Sequence, residues 1–214
     1  MVLKWCHQLK PDKWLPIYQQ ILEDFGFSRE DDEKAAKLMY ELGREKLLDS
    51  SELRQIIEGR SVAIIGFSIK KQEFLSIGEE VKITAGKALI KVREFFTDFI
   101  PEIHVTDMEE GELLLEIGEK CILVLHAHGD NIETIESIIP KIPEFVATTQ
   151  STQFDRVYNF GGFTDGDRAA CMAKEMNAKV INIYGFDFNN TSGIKKKKLE
   201  WAEKILKIEG ITGL

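Results

Sequence analysis

From residue 61 onward, short β-branched runs alternate with helical patterns, and this alternation restricts the fold more than any other feature of the chain. The runs are VAIIGF at 62–67, VKITA at 81–85, IHVT at 103–106, CILVLHA at 121–127, FVATTQ at 145–150, VYNF at 157–160 and VINIYG at 180–185. Most are apolar throughout, as strands are when helices cover both faces of a sheet. Helical patterns lie between most of them, at 86–99, 110–117, 132–139 and 165–176. A last one, at 195–208, puts Leu199, Ala202, Ile205 and Leu206 on one face. The predicted fold is α/β: a doubly wound, mostly parallel, Rossmann-like sheet.

Residues 1–59 have a different texture and read as a helical N-terminal subdomain or dimerisation arm ahead of an α/β catalytic domain at 60–214. Leu15, Tyr18, Ile21, Leu22 and Phe25 share one side of a first helix, and Ser28 with Asp31 has capping-box spacing for a second. Ser50 or Ser51 is expected to cap a third, which stops at Gly59. No residue of this segment is predicted to be catalytic, and a homodimer is one expectation for it.

A net charge of -8 argues against wholesale nucleic-acid binding, which needs clustered lysine and arginine. Cys6, Cys121 and Cys171 form no CxxC pair, so a zinc module or disulfide framework is not expected. No apolar run reaches membrane-spanning length, and the N-terminus lacks the apolar core of a signal peptide. A cytoplasmic protein is the simplest expectation.

The chemistry-bearing residues gather at predicted strand ends, where open α/β sheets bind ligands. The GFSIKK turn at 66–71 offers Ser68 and Lys70 as phosphate contacts, although it matches neither glycine-rich phosphate fingerprint. In VTDMEE at 105–110, Asp107 and Glu109 suit Mg²⁺, while Thr106 and Glu109 have the spacing of a helix cap. HAHGDN at 126–131 places His126 and His128 on one face with Asp130 just beyond. That pattern suits phosphate or Mg²⁺ binding ahead of zinc, and Gly129, Asp130 and Asn131 could also simply cap the next helix. In NFGGFTDGDR at 159–168, Gly161 and Gly162 allow close approach to a flat ligand between Phe160 and Phe163. Thr164 and Asp167 there have capping-box spacing, and Asp165, Asp167 and Arg168 suit a heterocycle edge and a phosphate. Thr148 and Thr149 read as structural, Asp187 as a cap or a site wall, and the run from Lys195 to Lys198 as solvated or turned toward polyphosphate.

At these residues the sequence resembles the archaeal 6-hydroxymethyl-7,8-dihydropterin pyrophosphokinases, a family related to thiamine pyrophosphokinase. The blocks that carry the likeness are HAHGDN, TTQ at 148–150, NFGGFTDGDRA at 159–169, GFDF at 185–188 and the segment at 195–199; VTDMEE is similar to the family's VTDLDG. The chain departs from the family's glycine-proline-serine turn after the first strand, and from its ADGA segment after the second, where Gly86 stands in place of aspartate. The resemblance implies transfer of diphosphate from ATP to a reduced pterin with Mg²⁺, in folate or tetrahydromethanopterin synthesis. Asp107, Glu109 and Asp130 are then the expected metal ligands. His126, His128, Asn131 and Arg168 are the expected catalytic residues. Ser68, Gly161, Gly162, Thr164, Asp165, Asp167, Lys195 and Lys198 are expected to hold the nucleotide and pterin. The alternatives are a binding protein that has lost turnover with the missing aspartate, or a pyrophosphokinase for another acceptor such as thiamine.

Overall fold

The computed structural model describes residues 11–188 and 192–211, which leaves Cys6 and the rest of the N-terminal ten residues outside the described part. Seven parallel strands form one sheet in the order β6-β5-β4-β3-β2-β1-β7. They are β1 (Ser61–Ile65), β2 (Val81–Ala85), β3 (Ile103–Thr106), β4 (Ile122–Ala127), β5 (Val146–Thr149), β6 (Val157–Tyr158) and β7 (Val180–Tyr184). Every predicted strand is present, though the one expected at 157–160 is paired only at its first two residues. The strands β1 to β6 step in one direction, so the right-handed connections α4 (Lys71–Leu75), α5 (Ala88–Arg93), α6 (Leu113–Ile117) and α7 (Ile132–Ile138) share one face. The return from β6 to β7, at the far edge, carries α8 (Asp165–Glu175) onto the other face.

Side-chain alternation follows from this layering. Val62, Ile64, Val81, Ile83, Ile103 and Val105 pack against Ala169, Ala170, Met172 and Ala173 of α8. Small residues let that helix lie close across β1, β2 and β3. On the opposite face Leu123, Leu125 and Ala147 pack against α6 and α7. The N-terminal helices enter both layers. Ala35, Ala36 and Met39 of α2 (Arg29–Gly43) join the α6/α7 core, whereas Leu53 and Ile57 of α3 (Ser50–Ile57) join the α8 core. Trp14, Tyr18, Ile21 and Leu22 of α1 (Pro11–Phe25) pack with Phe163, Cys171 and Trp201, the last from the C-terminal helix α9 (Gly193–Ile208).

Two local expectations are corrected. The cap of α3 is Asp49, whose carboxylate accepts the Ser51 amide at 2.9 Å, rather than either serine. No helix begins at Thr106. Its hydroxyl accepts the Met108 amide at 2.8 Å and donates to Glu110 at 2.5 Å, while Met108 and Gly111 take positive φ values of 73° and 60° and delay α6 to Leu113. Cys121 and Cys171 are buried free thiols. No helix among the described residues is long and apolar enough to cross a membrane.

Candidate active site

The loops after β1, β2, β3, β4 and β7 open at one end of the sheet, beside the first turns of α8 and α9, and enclose a cleft of about 700 Å³. Asp107, His126, His128, Asp130, Asp165 and Arg168 all line it, as do Ser68, Glu109, Thr164, Lys195 and Lys198. The strand-end loops singled out in the sequence therefore meet in one place.

HAHGDN folds as a self-capped turn. The Asn131 side-chain amide donates to the Asp107 and His126 carbonyls at 3.1 and 2.8 Å, and its oxygen accepts the His128 amide at 3.1 Å. Asn131 is thus a brace that ties the β3 turn to the β4 turn, buried and outside the cleft lining. His128 accepts the Asp130 amide on Nδ1 at 3.2 Å, which leaves the proton on Nε2, 3.6 Å from Asp107 Oδ2. Burial acts to raise the Asp107 carboxyl. The His128 contact and the Arg168 charge outweigh that and hold it below the usual range. Burial, then Arg168 and His128, keep the His126 imidazole well below the ordinary histidine range, so the ring is neutral.

NFGGFTDGDR starts α8. Both oxygens of Asp167 are committed: Oδ2 accepts the Phe163 amide at 2.7 Å, and Oδ1 accepts the amide and hydroxyl of Thr164 at 2.8 and 2.5 Å. Asp167 therefore closes the capping box with the N-cap Thr164, and it is fully buried away from the cleft lining with both oxygens engaged. The paired glycines are also absent from the lining. At Gly162, with φ +88°, a Cβ would stand 2.3 Å from the Arg168 Cα, so the glycine admits helix backbone rather than a ligand. Gly161, also at positive φ, donates its amide to Asn159. Phe160 stacks on Tyr158 in the core, whereas Phe163 does face the cleft.

Asp165 lies beside Arg168, Oδ1 to Nη1 at 3.2 Å, and Arg168 also donates to the Phe163 carbonyl at 3.1 Å. Burial first, and then the neighbouring Asp107 carboxylate, push Asp165 well above the ordinary carboxylate range. Glu109 forms an ion pair with Lys87 at the rim. Seven carboxylates line the cleft against four cations, Lys87, Arg168, Lys195 and Lys198. Among the described residues no three of His, Cys, Asp or Glu gather in a metal-holding geometry, neither the histidine-based set weighed for zinc nor the Asp107, Glu109 and Asp130 set expected for Mg²⁺.

Several cleft residues carried no sequence signal of a binding site. Gly26, Phe27, Ser28, Asp31 and Asp32 come from the α1–α2 junction, so the N-terminal segment builds one wall. Phe25, Phe27 and Phe163 form an aromatic group with centroids 5.1 to 6.4 Å apart, and Lys198 Nζ stands 6.0 and 5.9 Å from the Phe27 and Phe163 centroids. Lys195 lies over Phe67 across the cleft. Phe186 fits against Gly166, where a Cβ would meet its ring at 2.3 Å. The periodicity of α1 and α2 reveals a packing face, but not what their connecting turn overhangs.

Gly86 is the sharpest departure from the expected family pattern, and its surroundings explain it. At φ +51°, a Cβ there would lie 2.7 Å from Asp165 Oδ2, so the glycine leaves room for that carboxylate. Replacing Gly86 by Asp should cost about 1–2 kcal/mol for the left-handed backbone alone. It should also turn Asp165 away from Arg168. Thermal unfolding and ligand affinity measured on G86D should both decline, and an unchanged melting temperature with tighter ligand binding would contradict this account.

A family model described as 6-hydroxymethylpterin diphosphokinase MptE-like matches residues 70–193. A protein of Pyrococcus furiosus named 6-hydroxymethyl-7,8-dihydropterin pyrophosphokinase is 36% identical over 220 residues, covering 92% of this chain and 93% of its own. Proteins of the same name from Methanocaldococcus jannaschii and Methanothermobacter thermautotrophicus are 33% and 31% identical, covering 91% and 90% of this chain and 93% and 92% of theirs. The match takes in the turns after β2, β3, β4 and β5 and the whole of α8, which supply most of the cleft, and the chain belongs to the 6-hydroxymethylpterin diphosphokinase MptE-like family.

Proposed function

We propose that the chain transfers diphosphate from ATP to 6-hydroxymethyl-7,8-dihydropterin. The observation that carries this reading is near full-length likeness to proteins of that name, in a chain whose strand-end loops converge on one cleft. In the reaction the hydroxymethyl oxygen bonds to the β-phosphorus of ATP. The bond from that phosphorus to the oxygen it shares with the α-phosphorus breaks, AMP leaves with that oxygen, and the hydroxyl proton passes to an acceptor. In-line positioning and charge neutralisation suffice for such chemistry, with no covalent enzyme intermediate.

A surplus of carboxylates would repel a triphosphate unless a cation stood between them, and the donor set fits Mg²⁺, which binds oxygen and draws further ligands from water and phosphate. Asp107 and Asp130 would hold it, with Glu109 assisting once released from Lys87, and it would supply neutralisation of the transferring phosphates. The His128 N–H, now 3.6 Å from Asp107, would turn to an anion, Arg168 and the lysines at 195 and 198 would meet phosphate charge, and Ser68, which lines the same cleft, would contact phosphate. The Asp165 carboxyl would pair with the amidine-like edge of a pterin, whose N–H donors favour its ionised form. The buried free cysteines suit the cytoplasm, where ATP is available.

Phe27 and Phe163 pack on each other with centroids 6.4 Å apart, and the flat heterocycle would lie against the face this pair turns to the cleft. Loss of one aromatic contact is worth about 1 kcal/mol, or roughly fivefold in affinity. Phe27→Ala should therefore raise the KM for pterin about fivefold while the KM for ATP stays within about twofold; equal effects on both would misplace the pterin.

The deciding experiment incubates the purified protein with ATP, Mg²⁺ and hydroxymethyldihydropterin and measures AMP. Saturable pterin binding without AMP above background would identify a binding protein, and AMP release with thiamine alone would change the acceptor.

A further inference from the structure

The histidine at the end of β4 is held in one tautomer by a threonine on the next strand. The Thr148 hydroxyl donates its single hydrogen to the Leu125 carbonyl at 3.0 Å, so toward His126 Nδ1, at 3.1 Å, it can only accept. The His126 proton is therefore on Nδ1. Its Nε2 keeps a lone pair that is buried and has no hydrogen-bond partner, in a ring that lines the cleft. His128 has the opposite polarity, because its Nδ1 is occupied by the Asp130 amide and its Nε2 N–H is turned toward Asp107, 3.6 Å away. A buried acceptor without a partner is costly unless a ligand supplies the donor.

We infer that Thr148 is a positioning residue that fixes His126 as a hydrogen-bond acceptor, and that the Nε2 lone pair receives the hydrogen of the attacking hydroxymethyl group. This inference rests on the proposed pyrophosphokinase reaction for its catalytic half only. The tautomer itself is a property of the protein without substrate. Thr148 and Leu125 come from paired strands in the sheet interior, β5 beside β4, so the bond that orients the ring is held by the ladder and not by a loop. The strand-face threonine that reads as structural in the sequence is thereby given a chemical task.

The test uses the full chain and nitrogen-15 spectra of its histidines, of which there are four, with a His126→Asn variant to assign the signal. In the wild-type protein His126 should show a proton-bearing Nδ1 and a pyridine-like Nε2. Thr148→Val removes the acceptor while keeping the side-chain shape, and the proton should move toward Nε2. In the AMP-release assay the same variant should lose about tenfold or more in kcat, a part of the roughly 100-fold or more that general acid–base catalysis contributes because the imidazole itself remains, with the KM for ATP within about twofold. Thr148→Ser should restore both the spectrum and the rate. An unchanged tautomer in Thr148→Val, or failure of the serine variant to restore the rate, overturns the inference. If no protein of the series releases AMP, the proposed reaction fails, and the spectra still decide whether Thr148 sets the tautomer.

Discussion

Asp107→Asn should lower AMP release by about 100- to 1,000-fold, the range seen when a preorganised electrostatic group is removed from an active site. The residue directly follows β3, in the middle of the sheet, with His128 Nε2 at 3.6 Å. Its charge survives burial because His128, Arg168 and the Glu109 backbone amide favour it. Asparagine keeps the shape and an oxygen toward His128, but removes the charge that would hold a cation beside the triphosphate. It also relieves Asp165, whose carboxyl is raised in part by Asp107, so the variant should fold normally and melt within about 3 °C of the parent, less than one net hydrogen bond's worth. Glu109→Gln is the contrast. Glu109 is half-exposed and tied to Lys87, and its loss should cost less than about tenfold in rate, since exposed pairs contribute little. Asp107→Asn retaining more than half of the parent's turnover would take this carboxylate out of the reaction.

That contrast also shows how far the sequence could be read. VTDMEE presents three acids in four residues with nothing local to rank them. Only the fold turns Asp107 into the cleft, pairs Glu109 with Lys87 and buries Glu110 under the turn, 3.5 Å from His104 and bonded to Thr106. The sheet was legible because continuous β-branched runs and their helical connections repeat a period, and periods are local. The cleft was legible in outline for a topological reason: strands that all run parallel deliver their following loops to one end. What a glycine accommodates was not. Gly161 and Gly162 read equally well as a ligand platform or as room for a helix, and the choice depends on where Arg168 of α8 passes. Nor was the α1–α2 wall, because Phe27 and Asp32 belong to segments whose only visible signal is helix packing, and their reach to β4 and β5 spans about a hundred residues of sequence.

Asp32→Ala should be the most destabilising single change at the site, by about 3–5 kcal/mol, because it strips three buried donors of one acceptor. The carboxylate is almost fully buried and receives the Tyr18 hydroxyl at 2.6 Å, the Gln150 amide at 2.7 Å and the Gly129 backbone N–H at 2.8 Å. Gln150 in turn accepts the Trp14 indole on its main-chain oxygen at 2.7 Å, so one side chain links α1, α2, the end of β5 and the HAHGDN turn. Alanine leaves those donors facing a small cavity with no partner. Asparagine retains an acceptor oxygen yet aims an amide at groups that are themselves donors, and should fall between alanine and the parent. For a chain of this size the alanine change amounts to a fall of roughly 6–20 °C in melting temperature. The effect should extend to catalysis, since the Gly129 amide is what fixes the turn carrying His128 and Asp130 against α2. At a temperature where the variant remains folded, its AMP release should fall while near-ultraviolet dichroism of the Trp14–Tyr18 pair, stacked at 6.3 Å, loses intensity. Full activity and an unaltered aromatic spectrum would mean that the N-terminal helices merely lean on the sheet, and that the cleft keeps its shape without them.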